Sequence, residues 1–293
     1  MRFTVLVLIA ALLAPQPSRA DCNDRPEQWS SDAAKPWRHP HWWLLWSAGM
    51  ELGDLSEWSQ KVNTDAADSW AVTAVSEGIP PQGGEWVLKQ SVTGSVGGTR
   101  MARYPEIAAL AKAGTPFFVS WWDYYPARIS FGPADSFSIF YINSTDSAGG
   151  QNPVWGLVFD PNSFALQLLW SPNAAAPAEG PHAAESGKRA YGSACPVPIG
   201  QWVLFEVMIR PAADFTGALK VWMNGEVLFD LEQVKTRFPD SELGGLMWLN
   251  HDAYGSGLTP TPATHYIDDV AISLRRLRRG RGWPERDEEA EDD

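Results

Sequence analysis

From His41 to Leu274 the apolar positions fall in short alternating or continuous runs, broken by Gly, Pro, Asn and Asp. Phe117–Trp122, Phe137–Ile142, Val154–Phe159, Phe164–Trp170, Trp202–Ile209, Leu219–Met223 and Tyr266–Ser273 each have strand length. They are rich in β-branched and aromatic residues, which suit a pleated, half-buried surface. In Trp202–Arg210 a period of two sends Val203, Phe205, Val207 and Ile209 to one face. That face is wholly apolar and belongs in a core. Trp202, Leu204, Glu206, Met208 and Arg210 take the other face, whose acid and base meet water or a cleft. The same alternation separates Leu219, Val221 and Met223 from Lys220, Trp222 and Asn224. Asn224-Gly225 is a strong signal for a two-residue hairpin turn. Only Ile107–Ala113 hints at a helical turn, stopped by Gly114 and Pro116. Many short strands without βαβ alternation, and without a linker, predict one all-β domain, a sandwich or barrel.

The two ends of the chain read differently. Met1–Ala20 has a basic start at Arg2, an apolar stretch from Phe3 to Ala14 and a small-x-small site at Ser18-Arg19-Ala20. This is the pattern of a cleaved secretory signal, too short in its apolar part to span a bilayer. The mature protein is therefore expected to be secreted or periplasmic. Residues 21–40 form a polar lead-in. From Arg275 onward five arginines precede a run of acids ending at Asp293, a composition expected to be disordered.

Charge and cysteine count narrow the classes further. The net charge is -12, and losing Arg2 and Arg19 with the signal makes it -14. A nucleic-acid binder would need a basic stripe instead. Cys22 and Cys195 are the only two cysteines, and in an oxidising compartment the isolated pair is expected to be bridged. Neither has the spacing of a zinc or redox site. Asn143-Ser144-Thr145 is an N-x-S/T triplet, which matters only in a glycosylating host. Trp is the distinctive residue, 16 in 293. Indole rings cover the apolar faces of sugars at small entropic cost.

Several segments together carry a resemblance. They are ELGDLSEW (Glu51–Trp58), GTRMAR (Gly98–Arg103), FVSWWDYYP (Phe118–Pro126), GQWVLFEV (Gly200–Val207), VWMNG (Val221–Gly225) and PATHYIDDVAIS (Pro262–Ser273). Over about His41–Ser273 the chain resembles the concanavalin A-like jelly roll, in the exported branch related to heparin-lyase-type polysaccharide lyases. The resemblance implies an antiparallel two-sheet jelly-roll sandwich, one sheet of which is concave and carries a carbohydrate cleft. Lyases of this type often place Gln in the strand where this sequence has Tyr141.

Candidate chemistry follows from residue types. For stacking and polar contacts to a polysaccharide the candidates are Trp121, Trp122, Tyr124, Tyr125, Glu206, Trp222, Trp248 and Asn250. A retaining jelly-roll glycosidase needs two carboxylates close together, and no strand here carries an ExDxE-like pair. A lyase needs a Tyr or His base and a group that neutralises a uronate carboxylate. His251, Tyr254 and Tyr141 are the candidate bases, with Arg100 and Arg103 as neutralisers. Glu51 and Asp54 near the first strand, with Asp268 and Asp269 in the last, are candidate ligands for a structural calcium, which favours oxygen donors. Three functions remain open: a carbohydrate-binding protein with an aromatic cleft, which the Trp count favours; a polysaccharide lyase acting by β-elimination; and a non-catalytic structural or adhesive envelope protein.

Overall fold

The computed structural model describes residues 43–63, 67–93, 97–103, 114–132, 137–145, 151–170, 189–238, 243–252 and 258–276. The signal and lead-in readings, Cys22, the 107–113 turn, Tyr254 and the tail beyond Arg276 lie outside the described residues. Within them the strands form two antiparallel sheets. Sheet A runs in the order β13 (Glu226–Val234), β12 (Gly217–Met223), β11 (Trp202–Arg210), β6 (Phe117–Tyr124), β15 (Ala263–Ser273), β4 (Trp86–Val92), β3 (Ala67–Thr73). β1 (Leu44–Ala48) also pairs with β15. Sheet B runs β10 (Arg189–Pro196), β9 (Ala165–Trp170), β8 (Gln151–Phe159), β7 (Phe137–Thr145), β14 (Leu243–Asp252), β5 (Gly97–Arg103), β2 (Gln60–Asn63). One 3-10 turn, Val75–Glu77, is the only helical element among the described residues. The expected all-β sandwich is the observed architecture.

The period-two reading of β11 and β12 sets the core. Val203, Phe205, Val207, Ile209, Leu219, Val221 and Met223 are all buried in one apolar cluster fed by both sheets. Trp121 of β6 ties the sheets together: it stacks on Phe140 of β7 at 4.9 Å and lies against Phe205 at 5.5 Å. Asn224 and Gly225 make the hairpin with φ of 52° and 90°, both positive as a type I′ turn requires.

The other face of β11 departs from expectation. Trp202 and Leu204 are buried with Trp122, Tyr124 and Tyr266 in a second apolar cluster that includes Ala74, Ile79 and Val87. The Trp202 indole N–H donates to the Pro80 carbonyl at 2.6 Å. The segment after β3 therefore folds over the outer face of sheet A, which alternation within one strand cannot reveal. Glu206, on that face, is 3% exposed. Arg276 holds it through two hydrogen bonds, Nε to Oε1 at 3.1 Å and Nη2 to Oε2 at 2.6 Å. The basic run expected to be disordered from Arg275 thus has a fixed residue at Arg276.

A chain of buried polar side chains crosses the sandwich. Tyr125 donates to Asp123 of β6 at 2.8 Å, and Asp123 faces His265 Nδ1 of β15 at 2.6 Å. His265 Nε2 lies 3.0 Å from Gln90 Oε1 of β4, and Gln90 donates to Ser69 of β3 at 3.2 Å. Ser69 then meets Thr99 of β5 in the opposite sheet, and Thr99 donates to Asn63 of β2 at 2.7 Å.

The acids considered for calcium are placed in two ways. Asp54 turns back to cap Ser56, accepting from its N–H at 2.9 Å and its hydroxyl at 2.6 Å. Glu51 accepts the N–H groups of Glu85 and Trp86, each at 3.2 Å. Asp268 accepts from Gly83 N–H at 3.0 Å and Asp269 N–H at 2.7 Å. Backbone amides thus meet the carboxylates of Glu51 and Asp268. Among the described residues no group of three or more His, Cys, Asp and Glu is placed to hold a metal ion. Asp54 is held in its own turn, whereas the charges of Glu51 and Asp269 lie close enough to Asp268 to act on it.

Two predictions follow from these contacts. Burial, then the charges of Asp269 and Glu51, pushes the Asp268 carboxyl well above the usual range. The folded protein holds this proton more tightly than the unfolded chain. The group's stabilising contribution is full below its unfolded value, near 3.8, and is lost as pH rises through the folded value. Asp268→Asn has no such proton to lose, so its melting temperature relative to the parent rises from pH 4 towards pH 7 in thermal scans. Arg276→Ala strands the buried Glu206 carboxylate, and chemical denaturation is expected to show a loss of about 1–3 kcal/mol.

Candidate functional site

In sheet B, β7, β14 and β5 lie side by side. In β5, Thr99 and Met101 are fully buried and Arg100, between them, is exposed on the other side. In β7, Phe140 and Ile142 enter the core, which turns Tyr141 and Asn143 outward. β14 joins the two by register. Met247 pairs with both Tyr141 and Ala102, Leu249 with Arg100, and His251 with both Gly98 and Ser138. These pairings put the His251 position on the face of Arg100 and Tyr141. Tyr141 is level with Ala102, so Arg100 lies two strand spacings across and two residues along from it, about 12 Å in all. Tyr141 is half-buried, and its hydroxyl lies 2.7 Å from the Ser138 hydroxyl.

This face can bind a cation-seeking group and move a proton. Arg100 supplies a permanent positive charge and planar donors suited to a carboxylate. Tyr141, and an imidazole at the 251 position, are groups that take and return protons.

The remaining candidates are placed elsewhere. Arg103 has the opposite parity to Arg100. Its guanidinium sits 5.1 Å from the Trp46 ring and donates to the Glu57 carbonyl at 3.3 Å, which makes it a tie at the sandwich rim. Trp248 pairs with Met101 and Phe140, and Asn250 with Thr99, so both hold register positions opposite inward-facing residues. Tyr254 lies outside the described residues. Cys195 is buried near the end of β10.

The aromatic cluster proposed as a sugar platform is corrected by its burial. Trp121 is 0% exposed, inside the core. Tyr125 is equally enclosed, stacked on His265 at 5.3 Å, and the burial and the Asp123 charge push its phenol upward. Trp122 and Tyr124 lie in the second cluster on the outer face of sheet A. Trp222 is 6% exposed beneath the Arg276 guanidinium, 4.1 Å from its ring, and Glu206 is bound to that same arginine. These rings occupy sheet A, whereas Arg100, Tyr141 and the His251 position occupy sheet B.

Two residues on the sheet B face were not among the site candidates of the sequence. Asn143 follows Tyr141 by two positions, so alternation in FSIFYINST was a usable signal for it. Ser138 had none, because a β-bulge changes the parity: Ser138 pairs with Val158 but Phe140 with Leu157, leaving Ile139 as the extra residue.

Comparison with known proteins bears on the family and the fold. The polysaccharide lyase family model matches residues 50–271, which span β5, β7 and β14. An endo-β-1,4-glucuronan lyase from the fungus Trichoderma reesei superposes with a TM-score of 0.57 at 16% identity, covering 78% of this chain and 95% of that one. The cellulose-induced protein Cip1 superposes with a TM-score of 0.50 at 14% identity, covering 80% and 99%. At such identities these structures establish the shared fold. No curated protein matches the sequence. With the family model spanning both sheets, the chain belongs to the polysaccharide lyase family.

Proposed function

We propose that the protein is a lyase that cleaves a uronate-containing polysaccharide by β-elimination on the outer face of sheet B. The observation that carries this reading is the register that puts Arg100, the His251 position and Tyr141 on one face of three adjacent strands. In β-elimination a base removes the proton α to the uronate carboxylate, at C5. The C–H electron pair becomes the C4–C5 double bond, the C4–oxygen bond breaks, and the leaving oxygen takes a proton. The difficult feature is the negative charge that builds on the carboxylate as the proton leaves. Arg100 is the group that meets that charge, and Tyr141 or His251 handles the proton. Its local positive charge also offsets the net charge of -12, which otherwise repels an anionic chain.

A binder without catalysis is the weaker reading. Its motive was the aromatic cluster, and those rings are buried in sheet A and the core. The named activity of the Trichoderma reesei protein makes glucuronan the first substrate to test. Export after cleavage near Ala20 and a Cys22–Cys195 bridge belong to the same proposal, because polysaccharides of this kind are met outside the cytoplasm.

The test incubates the protein with glucuronan, alginate and heparin-like chains and follows the ultraviolet absorbance of the unsaturated uronate. A rise on at least one uronan is expected. Arg100→Ala lowers kcat/KM by about a hundredfold or more, the scale of losing one group that stabilises developing charge. Arg103→Ala lowers thermal stability and leaves the rate of the folded enzyme close to the parent's. Retained glycan binding with no absorbance change on any uronan would overturn the lyase and favour the binder.

A further inference from the structure

We propose that Ser138 and Gly156 are positioning residues that seat Tyr141 in the groove, an inference that rests on the lyase reading for its catalytic meaning. In a regular strand, residues three apart point to opposite faces. The bulge at Ile139 breaks that rule in β7. Ile139 and Phe140 both enter the core, so Ser138 comes round to the face of Tyr141 and their hydroxyls meet at 2.7 Å. A bulge spends a ladder pairing, and such features recur beside active sites, where they re-aim a side chain. Ser138 is fully buried, so its hydroxyl is a fixed anchor. Ser138 is also the residue of β7 that pairs with His251. The anchored end of Tyr141 therefore lies beside the 251 position.

Gly156 does the complementary work from β8, where it pairs directly with Tyr141. A Cβ built at Gly156 would lie 2.4 Å from Tyr141 Cε1 and 2.6 Å from Cδ1, but 3.7 Å from Cζ. The edge of the ring thus occupies the space where a side chain would stand. Gly156 is absent from the glycines with positive φ, so its backbone does not demand glycine. What demands it is the ring above. A side chain at 156 would push Tyr141 away from β8, towards β14 and into the groove.

Both contacts serve one arrangement: Tyr141 leans over β8 and its hydroxyl is held by Ser138. In the elimination, a Tyr141 phenolate accepts the C5 proton and the resulting phenol returns it to the leaving oxygen. The residue ends as it began. The Ser138 hydroxyl donates to the phenolate oxygen in the first state and accepts from the phenol in the second.

The experiment is a pair of double-mutant cycles on the full chain, Ser138→Ala with Tyr141→Phe and Gly156→Ala with Tyr141→Ala, read by uronan cleavage and by thermal melts. Ser138→Ala is expected to lower kcat by about tenfold or more, the scale set by misplacing a reacting group, with KM little changed. In the Tyr141→Phe background the same substitution has no further effect on kcat. Ser138→Thr, which keeps the hydroxyl, restores most of the rate. Gly156→Ala lowers the melting temperature in the parent and leaves it unchanged once Tyr141→Ala has removed the ring. If Ser138→Ala lowers kcat equally in both backgrounds, or if Gly156→Ala destabilises both equally, the seat does not exist and the proposal falls. A parent inert on every uronan, with the Gly156–Tyr141 coupling intact in melts, removes the lyase reading while supporting the seat itself.

Discussion

The buried hydrogen-bonded chain from Asp123 through His265, Gln90 and Ser69 to Thr99 is the constraint on which the site depends. Polar groups enclosed between two sheets are costly unless each finds a partner. Here the partners come from β6, β15, β4 and β3 of one sheet and from β5 of the other. Strand register is thereby fixed across the sandwich as well as within each sheet. A slip of β5 by one residue would turn Thr99 out and Arg100 in. The polar chain would lose its last link, and the groove would lose its cation. The core network and the outer face are thus two consequences of one alignment, joined at neighbouring residues of one strand.

Apolar packing completes what the polar chain aligns. Trp121 bridges to Phe140 across the sheets, and Phe140 is the residue next to Tyr141. The same strand therefore faces the core with one ring and the groove with the other. On the far side, sheet A is covered by the segment following β3 and by Arg276. Its aromatic residues stabilise the scaffold and are not offered to a ligand. Sheet A is covered where its aromatic residues lie, and the proposed chemistry rests on β5, β14 and β7 of the other sheet.

Much of the fold was legible in the residues. Val203, Phe205, Val207 and Ile209 declare a core face by simple alternation, and Asn224-Gly225 declares its hairpin. The antiparallel sandwich follows from many such strands. What alternation misses is anything supplied by a distant segment. Trp202, Trp122 and Trp222 look like exposed platforms on their own strands. Pro80 meets Trp202, Arg276 lies over Trp222, and Trp122 is buried in the second cluster with Ala74, Ile79 and Val87. The site was legible in the same partial way. Arg100, Tyr141 and His251 were recognisable by residue type, but their convergence depends on strand order, which a single sequence does not display. Arg103 was indistinguishable from Arg100 until parity within β5 was known. Ser138 was hidden because the bulge at Ile139 reverses the parity that a reader of the sequence must assume. Among the four acids, Asp54 is the one that a local turn claims, through the Ser56 N–H and hydroxyl.

The most direct test of where function resides is backbone hydrogen–deuterium exchange with and without a saturating oligouronate too short to be cleaved. Sheet B is predicted to gain protection within 97–103, 137–145 and 243–252, with little change at 117–124, 202–210 and 217–223. Protection confined to those three segments of sheet A, with 97–103, 137–145 and 243–252 unchanged, would contradict the account and return the binding face to the aromatic sheet.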